Sequence, residues 1–309
     1  MKLMDLKSKI ILISGPTASG KSKFAIQLAK KINGEVINAD SMQIYKELKI
    51  LTARPKLKDI KIVKHHLYGF KSVKDNYSTG NWLRDAKSKI KNIKKKNKIP
   101  ILVGGTGLYF KALTEGIVKI PEIPFNIRNR VRKKQSKIGQ IKFYSELIKL
   151  DPLCKSKIDK NDTQRSMRAY EVKIFTNKSL FDWYSETYSD FTHDSFIKLY
   201  VDYPREKLLE KISLRANEML RDGAINEVKK FYKLRIRKDL SSQKVIGLNE
   251  IKEFLDKRLD LNVLKEKISI KTRQYAKRQS TWARGQMSDW QKIKFNRLKS
   301  FLKKFDKSS

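Results

Sequence analysis

The sequence predicts an α/β fold, a parallel sheet with crossover helices, on the strength of three observations. Short apolar runs at 10–14, 35–40 and 99–105 alternate with helical patterns, and that alternation is how parallel strands joined through helices read. The first run feeds straight into a glycine-rich turn and a helix, "ILISGPTASGKS" at 11–22. The rhythm stops near residue 118 and returns with "FIKLYVDY" at 196–203.

Taken in order, Ile10–Ser14 forms the first strand, and the helix that starts at Lys21 buries Phe24, Ile26, Leu28, Ala29 and Ile32. "EVINAD" (35–40) is a second strand ending in an acid. A polar, basic helix spans 81–98 and leads into the third strand, "IPILVGG" (99–105). "KIPEIPFN" then places two prolines across the path, and mainly helical segments fill 126–190. The economical division is an α/β core over 1–118, a helical insertion over 119–195, and core completion with C-terminal helices over 196–309. "PREKLLEKISLRANEML" stops at Asp222-Gly223, a helix-ending signal. A long helix covers 261–285, and the basic tail from 286 is expected to be peripheral.

Composition bounds the function. With 39% apolar residues among 309, the chain can bury a core. Its formal charge is +39, so a polyanion is the first partner to consider; a lysine-rich composition is the bland explanation of the same number. One cysteine, Cys154, allows neither an internal disulfide nor a cysteine zinc site, and there are three histidines. That fits a reducing cytosol. No stretch approaches membrane-spanning length and the start is no signal peptide, so a soluble, cytoplasmic protein is expected.

Gly15-Pro16-Thr17-Ala18-Ser19-Gly20-Lys21-Ser22 fits G-x-x-x-x-G-K-[ST] in full, between a strand and a helix. Backbone N–H groups of such a loop converge on phosphate oxygens, Lys21 adds charge, and Ser22 is placed to ligate Mg²⁺. The fold class is therefore P-loop NTPase-like. The loop cannot distinguish a nucleotide used as fuel from a phosphorylated substrate. However, the third strand ends in Gly104, Gly105 and Thr106, without the acid an ATP-driven machine uses to hold its metal. The nearby strand-end acid is Asp40. It can either cap the turn that follows or take a proton from an acceptor. Group transfer to a bound acceptor is favoured over hydrolysis.

Basic and amide side chains recur at helical spacing further on. In "NDTQRSMR", Asn161 is expected as the N-cap with Gln164 closing a capping box; Gln164 and Arg168 lie one turn apart, with Arg165 beside them. On the long helix Arg273, Lys277 and Arg284 fall near one face with Thr281 between, and Tyr275, Gln279 and Trp282 form an adjoining stripe. These stripes read equally as RNA surface or as core and solvated charge.

"GPTASGKS", "ADSMQIYKELKILTARP", "HHL", "YS" (77–78), "PILVGGTGLYFKAL", "NDTQRSMRAYEV" and "TRQYAKRQSTWARG" occur in the order seen in bacterial tRNA dimethylallyltransferases, which this sequence resembles from about residue 10 to about 290. The resemblance implies a monomeric enzyme that moves a dimethylallyl group from dimethylallyl diphosphate to an adenine beside the anticodon of tRNA. It implies Asp40 as base and Lys21, Arg215 and Thr106 as further catalytic residues, with Mg²⁺ as cofactor. It also implies tRNA contacts at Asp40, Ser41, Met42, Gln43 and Thr106; at Arg128, Gln164, Arg165, Ser166, Met167 and Arg168; and at Gly247, Lys277, Arg278, Gln279, Thr281, Trp282 and Arg284. Three positions depart from the family's usual pattern: Leu51 and Asn177 stand for glycine, and Leu248 for tyrosine. A kinase or prenyltransferase of free adenine nucleotides, and a non-enzymatic RNA-binding protein, are the competing readings.

Overall fold

A computed structural model describes residues 6–185 and 187–306. The chain runs β1 (Ile10–Ser14), α1 (Lys21–Lys31), β2 (Gly34–Asn38), α2 (Leu57–Ile62), β3 (His65–His66), α3 (Thr79–Lys94), β4 (Ile99–Gly104) and α4 (Gly107–Glu115). Helices α5 (Phe125–Ile138), α6 (Gln140–Leu150), α7 (Thr163–Thr176) and α8 (Leu180–Tyr184) follow. Then come β5 (Phe196–Asp202), α9 (Arg205–Arg221), α10 (Ala224–Lys233), α11 (Leu248–Leu255), α12 (Leu261–Gln286), β6 (Gln291–Lys294) and α13 (Leu298–Lys303). They form two compact units: Met1–Thr114 with Phe191–Ser309, and Glu115–Asp190.

The first unit holds a six-stranded sheet in the order β3-β2-β4-β1-β5-β6, every pair parallel. Strands β1, β2 and β4 are buried along their whole length, which is why they read as continuous apolar runs rather than alternating ones. Ser14 pairs with Gly104 on one side and Tyr200 on the other. The glycine-rich loop after β1 and the Gly104–Thr106 turn after β4 therefore leave the sheet side by side, at its carboxyl end, where α/β folds build their sites.

Two boundaries are shorter than the sequence suggests. Strand β2 stops at Asn38, because the Asn38 side chain accepts the Asp40 N–H at 2.8 Å and donates to the Asp40 carbonyl at 2.9 Å. Asp40 thus sits in a turn beyond the strand. Helix α3 starts early, with Ser78 Oγ accepting the Asn81 N–H at 3.1 Å, and ends at Lys94, before the left-handed Asn97 (φ 55°) turns the chain into β4.

The tail is a correction. Far from peripheral, it supplies β6, and Met287, Trp290, Ile293, Leu302 and Phe305 are all buried. Phe301 meets Phe24 edge-on at 5.8 Å. Fully burying side chains of this size stabilises by about 1.5–3 kcal/mol each. A four-residue edge strand reading "QKIK" has one apolar residue, too few to show a strand period.

The second unit packs α5–α8 around Ile123, Leu147, Ala169 and Val172. Cys154 is buried there, and burial with a hydrogen bond to Asp151 pushes its thiol up to about 12, so it serves packing. The N-cap of α7 is Asp162, whose side chain accepts the Arg165 N–H at 3.0 Å, not the expected Asn161. Asn161 instead donates its backbone N–H to Asp159 Oδ1 at 2.8 Å. Asn177 closes α7 in the left-handed conformation (φ 55°).

Candidate active site

The loop after β1 turns through a left-handed Ala18 (φ 65°) and Gly20 (φ 84°), then opens α1. Lys21 is buried and donates to the Pro16 carbonyl at 3.1 Å. Burial lowers its ammonium to about 8; the Asp40 carboxylate pulls it back up and the neighbouring Arg215 cation pushes it further down. Arg215, on α9, donates to Thr17 Oγ1 at 3.1 Å. Burial lowers its guanidinium as well, opposed by Asp40. Two partly desolvated cations against one carboxylate leave the site short of negative charge, which is what an incoming diphosphate supplies.

Asp40 faces these cations from the β2 side. Its Oδ1 accepts the Met42 N–H at 2.9 Å, a turn-capping bond that fixes the carboxylate. The Ser41 N–H donates to Thr106 Oγ1 at 3.0 Å, and the Thr106 hydroxyl lies 3.3 Å from Ser41 Oγ. The Thr106 N–H in turn donates to the Ala39 carbonyl at 3.2 Å. This lacing requires the two strand ends to approach closely: a Cβ at Gly104 would fall 1.9 Å from the Ala39 oxygen. Tyr68, Tyr109 and Tyr275 surround the carboxylate, and burial followed by the Asp40 charge raises all three phenols, so they stay neutral donors.

Gln279, on α12, is where the structure most changes the expected map. Its Oε1 accepts the Thr17 N–H at 2.7 Å and its Nε2 donates to the Gly105 carbonyl at 3.0 Å. The amide therefore bridges the phosphate loop to the β4 turn. Trp282 likewise turns inward over Gly107, with Nε1 buried and without a hydrogen-bond partner. Arg273, Lys277, Thr281 and Arg284 are exposed on the opposite side of α12, whereas Arg278, also exposed, lies over the Tyr275 ring at 5.8 Å on the cavity side.

In the second unit Gln164 and Arg165 are exposed, Arg165 3.2 Å from Asp162. Arg128 and Arg168 come together around Glu171: Arg168 Nη1 lies 3.9 Å from Glu171 Oε2, and Arg128 acts on both charges. Ser166, expected to meet RNA, is fully buried and accepts from Gln140 Nε2 at 3.2 Å. Met167 is partly buried. Gly247, also expected at the RNA surface, is buried as the left-handed start of α11 (φ 101°) against Leu51. The two departures Leu51 and Leu248 lie in one apolar cluster.

A cavity of about 290 Å³ opens within the first unit. Thr17, Asp40, Arg215, Lys244, Tyr275 and Arg278 are among its polar lining; Leu51, Ile212, Met219, Val245 and Ile268 are among its apolar walls. The sequence offered no signal for that apolar wall, because its members come from four separate segments. As for a metal, no cluster of three or more His, Cys, Asp or Glu side chains occurs among the described residues. The available donors are the exposed Ser22 hydroxyl and the buried, unpartnered Ser19 hydroxyl in the loop. One hydroxyl, completed by phosphate oxygens and water, is a donor set that suits Mg²⁺.

Residues 43–286 match the sequence profile of the IPP transferase family. The chain belongs to this family. Over 306 residues it is 60% identical to the tRNA dimethylallyltransferase of Pelagibacter ubique (strain HTCC1062), covering 99% of this chain and 98% of that one. The tRNA dimethylallyltransferase of Rickettsia massiliae (strain Mtu5) is 41% identical over 302 residues, 97% of this chain and 83% of the relative. Among solved structures, a eukaryotic dimethylallyltransferase acting on tRNA matches with a TM-score of 0.80 at 29% identity, over 93% of this chain and 74% of its own. The tRNA isopentenylpyrophosphate transferase of Bacillus halodurans matches at 0.68 and 29%, over 96% and 95%. As a member of the IPP transferase family, the enzyme is a transferase, and the missing acid after β4 agrees with that.

Proposed function

We propose that this enzyme transfers the dimethylallyl group of dimethylallyl diphosphate to the exocyclic amine of the adenine on the 3′ side of the tRNA anticodon. The observation that carries the reading is the meeting of Lys21, Arg215 and Asp40, the last two lining a cavity that also holds an apolar patch of Leu51, Ile212, Met219, Val245 and Ile268. In the reaction the bond from the allylic carbon to the bridging oxygen breaks, and diphosphate leaves with the electron pair. The bond from adenine nitrogen to that carbon forms, and the amine loses one proton.

Lys21 and Arg215, with the N–H groups of the loop, hold the charge that develops on the departing diphosphate. Asp40 accepts the amine proton, with its carboxylate oriented by the Met42 N–H. Thr106 and Ser41, which hydrogen-bond one another, position the purine edge. Ser22 would hold Mg²⁺, which when bound neutralises phosphate charge. The base reaches this point by leaving its stack. Exposed Arg273, Lys277 and Arg284 on one unit, and exposed Arg165 with the half-buried Arg128 and Arg168 on the other, meet the phosphates of the anticodon stem-loop. A monomer acting in the cytoplasm, where tRNA is found, suits this role; no described helix is long and apolar enough to cross a membrane.

Radiolabelled dimethylallyl diphosphate offered with either tRNA or AMP tests the reading. Label is expected in tRNA alone. Label in AMP alone, or brisk hydrolysis of ATP with the prenyl donor untouched, would overturn it.

A further inference from the structure

Leu51 stands on the wall of the cavity that also holds Thr17, Asp40 and Arg215. A diphosphate seated against Thr17 and Arg215, with its reacting carbon beside Asp40, directs its hydrocarbon away from that polar side. The walls it then meets include the apolar Leu51, Ile212, Met219, Val245 and Ile268. Most of them lie on helices, but Leu51 belongs to the loop after Asp40, and this loop is held unusually firmly. The Glu227 carboxylate, on α10, accepts three consecutive backbone N–H groups: Lys49 at 2.8 Å, Ile50 at 2.8 Å and Leu51 at 2.9 Å. Gln43 Nε2 donates to the carbonyls of Thr52 at 2.8 Å and Ala53 at 3.0 Å.

The leucine side chain is fixed from behind as well. A Cβ built on Gly247 would come within 2.6 Å of Leu51 Cδ2, and Gly247 holds a φ of +101° that other residues rarely adopt. Gly247 leaves only the room Leu51 already fills. The side chain cannot retreat that way, and five backbone hydrogen bonds keep its loop from shifting. Leu51 is therefore a fixed wall and not a movable lid.

We propose that Leu51 is a specificity-determining residue: backed by Gly247 and held by Glu227, it limits the length of the alkyl chain the donor can carry. Glu227 is a positioning residue in this device. The inference rests on the prenyl-transfer reading above. A rigid apolar wall discriminates by roughly 10–200-fold per methylene of misfit, so a donor longer by one isoprene unit is rejected.

The test compares kcat/KM for dimethylallyl and geranyl diphosphate, at saturating tRNA, in the wild type, Leu51→Ala and Leu51→Met. The expected result is that Leu51→Ala lowers the preference for the shorter donor by about tenfold or more, chiefly through the KM for geranyl diphosphate. Leu51→Met, which nearly conserves volume, keeps the preference. If Leu51→Ala proves unfolded by circular dichroism, Leu51→Val and Glu227→Gln read the same ratio and are expected to erode it in the same direction. An unchanged ratio in folded variants overturns the inference, as does a defect confined to the KM for tRNA, which would give this wall to the purine. A wild type inactive with dimethylallyl diphosphate defeats the underlying reading instead, so the two failures are distinguishable.

Discussion

Asp40 illustrates how much one side chain's surroundings matter. In sequence it can be a cap or a base, and in the structure its two roles are compatible: one oxygen accepts the Met42 N–H while the carboxylate faces Lys21, Arg215 and the phenols of Tyr68, Tyr109 and Tyr275. Asp40→Asn keeps the shape and the cap but cannot take a proton. Single-turnover rates with saturating tRNA are expected to fall by about 10²–10⁴, with tRNA affinity changed little; an unaltered rate would remove Asp40 from the chemistry. Lys21 makes the complementary case. Burial lowers its ammonium to about 8, so the free enzyme carries a desolvation cost that Asp40 offsets only in part and a bound anion would relieve further. Lys21→Met is expected to raise the thermal stability of the unliganded protein, by about 1–3 kcal/mol, while abolishing donor binding. A melting curve and a donor titration check the two halves separately.

At the scale of elements, α12 presents two different faces, and a single sequence shows both stripes without saying which turns inward. Tyr275, Gln279 and Trp282 share a helical period with the basic residues beside them, and the choice is made by what packs there: Gly105 and Gly107, which have no Cβ, leave room for Gln279 and Trp282. Gln279→Ala is accordingly expected to raise the KM for the prenyl donor, through the freed Thr17 N–H and Gly105 carbonyl, with tRNA affinity nearly intact. Arg284→Ala should do the reverse: weaker tRNA binding, and a plot of log affinity against log salt whose slope falls by about one. Filter-binding measurements across salt concentrations decide between these outcomes. The elements that could be read ahead were the strand-like apolar runs at β1, β2, β4 and β5 and helices with a strong period, such as α1, α9 and α12. Those that could not were β3 and β6, two and four residues long. Their identity as strands comes from neighbours they pair with, and not from their own pattern.

At the scale of the whole molecule, stability should fail on the acid side. The buried Glu35 is held by Lys98 at 2.8 Å and His66 at 2.7 Å, tying β3 and β4 to β2. Burial alone would raise Glu35, but the Lys98 and His66 hydrogen bonds outweigh it and hold the carboxyl below 4.5. Its contribution is present above that value and is lost as pH falls through the folded-state value. Burial likewise keeps His66 below 6.5 despite the opposing pull of Glu35. As pH drops under 6.5 the unfolded chain takes up that proton first, so this group also costs stability in acid. Melting temperatures are expected to decline from about pH 6.5 downward, with His66→Gln flattening the upper part of the decline and Glu35→Gln the lower. Ending the chain after Gln286 would remove β6 and α13 and uncover the core they close. A loss of about 5 kcal/mol or more in urea melts is expected from the buried side chains involved.

What the sequence determined by itself is local chemistry with a fixed spacing. The G-x-x-x-x-G-K-S run needs no distant residue to cradle phosphate, and an apolar run between turn signals needs none to be a buried strand. Only tertiary structure decided which distant groups share a volume. Arg215 meets Thr17 across 198 positions and Gln279 meets Thr17 across 262, while Leu51 closes on Gly247. Such meetings depend on strand order and helix facing, which are set by the burial of the whole core and leave no periodic trace in the residues concerned.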